Sequence, residues 1–595
     1  MYIFDSQSEF YRYPQGGIKS NDNITLKIYI KKNLVPSPKI IIEKRHDYST
    51  EIFREIDMEW VGFQKSYDLY KATFSINLIG NYYYSFNLNE NEYSFTDEYE
   101  LLVYSENYKT PDWIKGGIIY HIFVDRFYRT ELFKKNRNDI TIINDWGTIP
   151  NYLPDEEGEI RNNDFFGGNL EGIIEKLEYI HSLGVNTIYL SPVFDAYSNH
   201  KYDTSDYLSI DAMFGSSETL MKLCSEAKTL GMYIILDGVF SHTGSDSIYF
   251  NEYSHYNSLG AFVSKDSPYY DWYMFNESKE DYASWWGIKT LPTINKKSES
   301  YIDFITGDNG VLVYWQKKGI KGWRLDVADE LPNEFLEKIR STVRNYNNDS
   351  YIVGEVWEDA SNKFSYGKLK EYFCGNQLDS VTNYPLKNAI IDFIKNKDCS
   401  LLNHTINFIL EKYPPQTVNC LMNIIGTHDT ARILTVLGCS EIPLDKNEKA
   451  LYKLGKEEFK KGVTLLKVAS LLQFTLPGVP CIYYGDEVGM EGFEDPFNRA
   501  CFPWGNENDE ILNHYKFLST LRKNILFVDG KYKNIMSEGG VFVFKRYKNN
   551  KKIVIAVNMS EETITLKFKE KMKLYDSNIN SNSFDLNSKE FLILE

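Results

Sequence analysis

Over residues 1–110 the chain alternates apolar and polar positions in short runs. Ile24 to Ile30 alternates, Lys39 to Glu43 is short and aliphatic, and Tyr82 to Asn87 alternates around aromatic rings. Polar turns separate the runs, which predicts a small N-terminal β-sandwich. Lys109-Thr-Pro-Asp112 reads as a linker. From Gly116 the pattern becomes short apolar run, helical spacing, short apolar run. Candidate strands are Gly117–Phe127, Val185–Phe194, Tyr233–Phe240, Gly322–Ala328, Tyr351–Trp357, Leu378–Tyr384, Met422–Thr427 and Val479–Asp486. Helical periodicity lies between most of them, as in Leu170–Leu183, Ser217–Leu230 and Pro332–Arg344. Eight strands with intervening helices is the count of an α/β fold, the (β/α)8 TIM barrel, here over residues 111–524. The gap between the third and fourth strands is too long for one helix and predicts an inserted subdomain at about 243–305, rich in Tyr, Trp, Ser and Asp. Residues 525–595 return to β character in Gly540–Tyr547, Lys552–Val557 and Thr563–Phe568, with Tyr575 to Asn587 polar and turn-like. This predicts a C-terminal β-sandwich.

Composition narrows the partners. At 595 residues there is room for about three or four domains. With 66 Lys plus Arg against 83 Asp plus Glu the net charge is −17, which argues against nucleic acid or an anionic membrane and suits a neutral substrate. Aromatic content is 15%, with 45 Tyr. Flat rings grip sugar faces, and Tyr is also favoured in strands. The 7 cysteines are odd in number and lack paired spacing, so free thiols in a reducing compartment are expected. The first ten residues lack a basic region followed by an apolar core, and no run is long enough to span a bilayer. The cytoplasm is the expected compartment.

The chemistry gathers at the predicted strand ends, where a barrel of this kind places its site. The stretch Gly322-Trp-Arg-Leu-Asp-Val-Ala-Asp-Glu330 puts Arg324 and Asp326 two residues apart, on one strand face. The third strand ends in Asp237-Gly-Val-Phe-Ser-His242, the fifth in Gly354-Glu-Val-Trp357, and the seventh in Ile425-Gly-Thr-His-Asp-Thr430. Taken singly, each of these residues also fits a structural role. Together they bring four carboxylates and two histidines to one mouth. Glycoside hydrolysis needs two carboxyl groups in different protonation states across the scissile bond. Asp326, beside Arg324, is expected to stay ionised as the nucleophile. Glu355, flanked by Val356 and Trp357, is expected in a less polar setting that raises its pKa, as a general acid requires. Asp429 offers a third carboxylate for the developing positive charge. His242 and His428 are expected to hydrogen-bond sugar hydroxyls.

These motifs, in this order, resemble those of the α-amylase family of glycoside hydrolases, over roughly residues 116–595. The resemblance implies that Asp326 is the nucleophile, Glu355 the acid/base and Asp429 the transition-state stabiliser. It places Arg324, His242 and His428 around the cleaved sugar, with Asp237 as a support. Tyr202, in Asn199-His-Lys-Tyr-Asp-Thr-Ser-Asp-Tyr207, is similar to a tyrosine that stacks under that sugar. Asp495 and Arg499, in Asp495-Pro-Phe-Asn-Arg499, resemble a pair that reaches the glucose there and beyond. Trp357, next to the acid/base, is expected to contact the leaving-group sugar.

Within the family, Tyr120-His-Ile-Phe-Val-Asp-Arg-Phe127, Asp164-Phe-Phe-Gly-Gly-Asn-Leu170 and the N-terminal β-domain are similar to the neopullulanase, cyclomaltodextrinase and amylopullulanase branch. Leu291-Pro-Thr-Ile-Asn295 resembles that branch's extra motif. Asp329-Glu330 stand where plain α-amylases usually carry Lys-His, which favours short, cyclic or branched α-glucans over long starch. Trp285 and Trp286 either line acceptor subsites or pack the insertion. The branch also implies a homodimer built through the N-terminal domain. No organic cofactor is implied. For Ca²⁺ the chain departs from the pattern: Ser241 stands where an Asn often ligates the family's calcium. A second loop, Asn136, Asn138 and Asp139 closed by Asn169, offers oxygen ligands at an altered spacing. Calcium and plain polar loop residues both stay open.

The leading expectation is a retaining hydrolase of α-1,4 glucosidic bonds, with α-1,6 bonds left open, in maltooligosaccharides, cyclodextrins, pullulan or starch. A transglycosylase, with a sugar replacing water, is the alternative. A non-catalytic amylase-like carbohydrate-binding protein is more distant, because such proteins typically lose catalytic carboxylates. A Rossmann enzyme is excluded, since no strand is followed by a Gly-rich phosphate loop.

Overall fold

The computed structural model describes residues 2–34, 37–88, 96–130, 140–156, 158, 160–443 and 445–595. Two five-stranded sheets form the N-terminal part. In Asn23–Lys31 the alternation Ile24, Leu26, Ile28, Ile30 turns every second side chain inward, and all four are essentially buried. They meet Ile40, Ile42, Tyr82, Tyr84 and Phe86 of the facing sheet in one cluster. Each such inward aliphatic contributes ~1.5–3 kcal/mol by burial, so a one-residue slip of register would be heavily penalised.

The central sheet is parallel throughout and eight-stranded. Its strands are β1 (Ile119–Ile122), β2 (Thr187–Leu190), β3 (Tyr233–Gly238), β4 (Gly322–Leu325), β5 (Tyr351–Gly354), β6 (Ser380–Val381), β7 (Met422–Asn423) and β8 (Val479–Tyr483). The parallel bridge Thr382–Met422 joins β6 to β7 and closes the circle. Ile119, Tyr189, Ile235, Tyr351, Val353, Met422, Val479 and Cys481 pack as one cluster drawn from strands around that circle. The opposite strand faces carry Tyr120, Ile188, Ile234, Trp323 and Ile352 into the layer beneath the helices. Buried on both faces, the strands read as apolar runs rather than alternating ones.

All eight expected strands are present and every one is shorter than its apolar run. The residues beyond each strand leave the ladder to build the mouth. Val124–Arg126 turns into a 3-10 helix after β1, and Ala328–Glu330 does so after β4. The helix expected over Leu170–Leu183 is interrupted at Lys176, giving Leu170–Glu175 and Leu177–Ser182. Helix Ser217–Thr229 starts with a capping box between Ser216 and Thr219. The segment between β3 and β4 has little regular structure until helices Glu299–Thr306 and Val311–Lys317, and the bridges His242–Thr293 and Tyr273–Ile294 tie it down over the mouth.

At the C-terminal end, Lys531–Glu538, Val541–Lys548, Lys551–Asn558 and Glu590–Leu594 form a four-stranded antiparallel sheet facing the pair Ile564–Lys573 and Asn580–Leu586. The polar stretch read as turn-like therefore contains a strand. Phe584 and Leu586 alternate inward and supply the burial that the surrounding Asn and Ser cannot. Arg546 and Arg522, both buried, donate to the carbonyls of Thr475 and Phe474 at the end of helix Lys456–Thr475. These last-turn carbonyls lack intrahelical partners. The Arg546 guanidinium thus joins the final sheet to the barrel, while Arg522 ties helix Asp509–Arg522 to the same helix end. All seven cysteines are free thiols, and no helix of the described residues is long and apolar enough to cross a membrane.

Candidate active site

The expected strand-end residues converge on one guanidinium. Arg324, the third residue of β4, is buried among carboxylates at the mouth. Its Nη1 donates to Asp237 Oδ1 at 2.7 Å and to Asp326 Oδ1 at 2.8 Å, and its Nη2 lies 2.8 Å from Glu355 Oε2. Asp326 and Glu355 therefore share one pocket. The Val327 N–H donates to Glu355 Oε2 at 2.9 Å, and Trp357 Nε1 donates to Glu355 Oε1 at 3.0 Å. Val327 adopts φ +38°, a left-handed conformation unfavourable for a β-branched residue. Strain of this kind persists only where the surroundings over-determine it.

A second group faces the first. Asp237 Oδ2 accepts from Tyr189 at 2.5 Å and from Tyr202 at 3.0 Å. The Tyr202 ring stacks on His428, centroids 5.2 Å apart and planes nearly parallel, and its hydroxyl lies 2.5 Å from His428 Nε2. His428 Nε2 is also 3.2 Å from Asp429 Oδ1. Arg499 Nη2 approaches Asp429 at 3.7 Å, and Arg499 pairs with Asp495 at 2.9 Å. Asn498 and Arg499 both donate to the His428 carbonyl, which fixes the loop after β7.

Electrostatics depart from the expectation of a low Asp326 beside Arg324. Burial raises the Asp326 carboxyl well above the usual carboxylate range. Arg324 offsets only part of this, because its charge is divided among three acids. Burial and, next, Glu355 push Asp429 up to about 7. The Asp429 side chain keeps 30% exposure, so solvent tempers that shift. Two guanidiniums stand against Asp237, Asp326, Glu355 and Asp429. The group as a whole thus keeps a proton at pH values where isolated carboxyls have lost theirs. Burial lowers His242 to about 3 and takes His428 well below its ordinary value, so both are neutral. His242 lies 3.1 Å from the Tyr202 carbonyl through Nε2 and 3.0 Å from Ser241 Oγ through Nδ1. Its Nε2 thus contacts the backbone of the Tyr202 loop.

Several participants escaped sequence reasoning. Tyr189 lies inside an apolar strand and gives no polar signal. Tyr384, stacked on Trp357 at 4.0 Å, opens an ordinary helix, Tyr384–Asn396. Glu330 was visible only as a departure from Lys-His. It accepts from Trp285 Nε1 at 3.0 Å and from the Tyr366 hydroxyl at 3.0 Å. A separate hollow of about 960 Å³ beside the linker, lined by Lys109, Glu337 and Arg340, has no aromatic ring among its described lining and no catalytic pair.

Of the calcium expectation, Asn136, Asn138 and Asp139 lie outside the described residues. Asn169 caps helix Leu170–Glu175, its Oδ1 accepting from the Gly172 N–H at 2.8 Å.

The description "Alpha amylase, catalytic domain" fits residues 121–537, and an α-amylase C-terminal domain fits residues 530–581. The chain belongs to the α-amylase family. Within this family it is 35% identical to an amylopullulanase of Thermoanaerobacterium saccharolyticum over 585 residues, covering 87% of this chain and 44% of that protein. It is 34% identical to a cyclomaltodextrinase of Thermoanaerobacter pseudethanolicus, covering 76% of this chain and 71% of that one. The chain thus spans less than half the length of the amylopullulanases it matches. Among solved structures, a cyclic α-maltosyl-(1→6)-maltose hydrolase of Arthrobacter globiformis is 26% identical, with a TM-score of 0.66, covering 82% of this chain and 99% of that one. The type III pullulan hydrolase of Thermococcus kodakarensis, 24% identical with a TM-score of 0.70, covers 100% of both chains and shares the fold.

Proposed function

We propose that this α-amylase-family chain is a retaining hydrolase of α-glucosidic bonds in short, cyclic or branched α-glucans. The observation that carries the reading is the sharing of Arg324 by Asp326 and Glu355, which seats two carboxyl groups in one pocket. Retention needs such a pair at about 5 Å. In this reading Glu355 gives its proton to the glycosidic oxygen as Asp326 Oδ attacks the anomeric carbon. The bond to the leaving sugar breaks and a glycosyl ester forms. Glu355, now ionised, takes a proton from the incoming water, which displaces Asp326. Asp429 opposes the positive charge that grows on the sugar ring in both steps. Tyr202, held against His428, offers a flat face beneath that ring.

The relatives' names, amylopullulanase and cyclomaltodextrinase, support pullulan and cyclodextrins among the substrates. The test is product analysis after incubation with starch, pullulan, β-cyclodextrin and maltotriose. Panose from pullulan supports α-1,4 cleavage of the neopullulanase kind, and maltotriose from pullulan reveals α-1,6 cleavage. Attack on starch alone overturns the substrate assignment.

The same reading carries two structural proposals. The Asn136–Asp139 loop with Asn169 binds Ca²⁺. Chelation should lower Tm in a calcium-reversible way. The N-terminal sheets mediate a homodimer, because edge strand Glu59–Gln64 exposes Trp60, Val61 and Phe63. Sedimentation velocity tests it.

A further inference from the structure

An aromatic cluster beside His242 is assembled from three separate loops. Trp285 and Trp286 come from the insertion after β3, their rings stacked at 5.4 Å, with Trp285 5.3 Å from His242. Glu330 comes from the turn after β4. Tyr366 caps a two-stranded hairpin, Phe364–Ser365 with Lys368–Leu369, in the connection after β5. Glu330 is 9% exposed, yet its Oε1 accepts from Trp285, Trp286 and Tyr366 at 3.0, 3.4 and 3.0 Å. Its Oε2 lies 3.7 Å from Lys296. One buried carboxylate thus fixes rings that remain 78% (Trp286) and 68% (Tyr366) exposed. Rings that only filled space would bury their faces. Trp286 and Tyr366 are held by their polar edges and stay exposed, on the connections that follow β3 and β5.

The hairpin does not stand alone. Asp47 of the N-terminal sandwich accepts from the Leu369 N–H at 2.9 Å and from Lys368 Nζ at 2.7 Å. Tyr48 packs its ring against Phe364 at 5.3 Å. Tyr366 and Gly367 both adopt positive φ, 50° and 76°, as a two-residue hairpin turn prefers, and only the non-glycine Tyr366 carries strain there.

We infer that Tyr366, with Trp286, forms the binding surface for the sugar that leaves toward or arrives from the Glu355 side, and that Asp47 is a positioning residue for it, linking the N-terminal sandwich to acceptor choice. The inference rests on the hydrolase reading above. In the transfer step an acceptor sugar hydroxyl oxygen bonds to the anomeric carbon of the glycosyl ester. The ester C–O bond breaks, its electron pair returns to Asp326, and the hydroxyl proton passes to Glu355. Transfer and hydrolysis differ only in which hydroxyl compound reaches that carbon. A surface that holds sugar in place raises the effective concentration of sugar over water.

The experiment is the ratio of transfer to hydrolysis with maltotriose as donor and maltose as added acceptor. A ratio does not depend on how much of a preparation is folded. Tyr366→Ala and Asp47→Ala should each lower it, by about tenfold for Tyr366→Ala, and Asp47→Asn, whose Oδ1 can still accept the Leu369 N–H, should restore most of it. Unchanged ratios in variants that still cleave maltotriose would overturn the inference and leave the hydrolase reading standing. Wild-type chain that cleaves no α-glucan overturns both.

Discussion

Val327 donates its backbone N–H to Glu355 Oε2 at 2.9 Å from a left-handed conformation, φ +38°. The strand that carries the proposed nucleophile thus also orients the proposed acid, at a cost in backbone energy. Val327→Gly should relieve that strain and gain about 1 kcal/mol of stability. A looser peptide should position Glu355 less well, so kcat on maltotriose should fall. Thermal unfolding and initial rates check both. A destabilised, fully active variant would show that the strain has no such role.

Glu355→Gln removes the proton donor and should lower kcat by roughly 10²–10⁴-fold. Asp326→Asn removes the attacking oxygen and should lose at least as much. A loss of only a few-fold in either variant contradicts the assigned roles.

Arg324 holds three buried acids together. Arg324→Ala should cost ~3–5 kcal/mol at neutral pH, as expected when one partner leaves a buried ionic cluster. The loss should shrink toward pH 4, where the carboxyls take up protons. Urea unfolding at the two pH values measures it. Equal losses at both would mean that packing, not charge, dominates.

For Asp429, a folded-state pKa near 7 lies above the ordinary value of 3.8. The folded chain then binds more protons than the unfolded one between these values. The stability this group contributes is present below about pH 4 and is lost as pH rises through 7. Asp429→Asn, which cannot ionise, should therefore gain in Tm over wild type at pH 8 and show little difference at pH 4. The same variant should lose activity, because the amide cannot answer a positive ring. A Tm difference independent of pH would refute the shift.

Much of this molecule was legible in one dimension. Barrel strands buried on both faces must be apolar runs, and substrate-facing residues must follow where those runs end. Asp237, Arg324, Asp326, Glu355, His428 and Asp429 could accordingly be placed by strand and order alone. The N-terminal alternation was equally plain, because a half-buried sheet repeats every two residues. The strand Asn580–Leu586 was not, since two inward apolar residues are too weak a local signal until a partner strand supplies the pairing.

Tertiary structure alone decided how those residues act on one another. That Arg324 serves three acids, that Tyr189 and Tyr202 share Asp237, and that Asp47 reaches a hairpin 321 positions away depend on loops closing in three dimensions. Side-chain periodicity is local and survives in the sequence. Charge sharing and desolvation depend on distance through space, and only the packed barrel sets those distances.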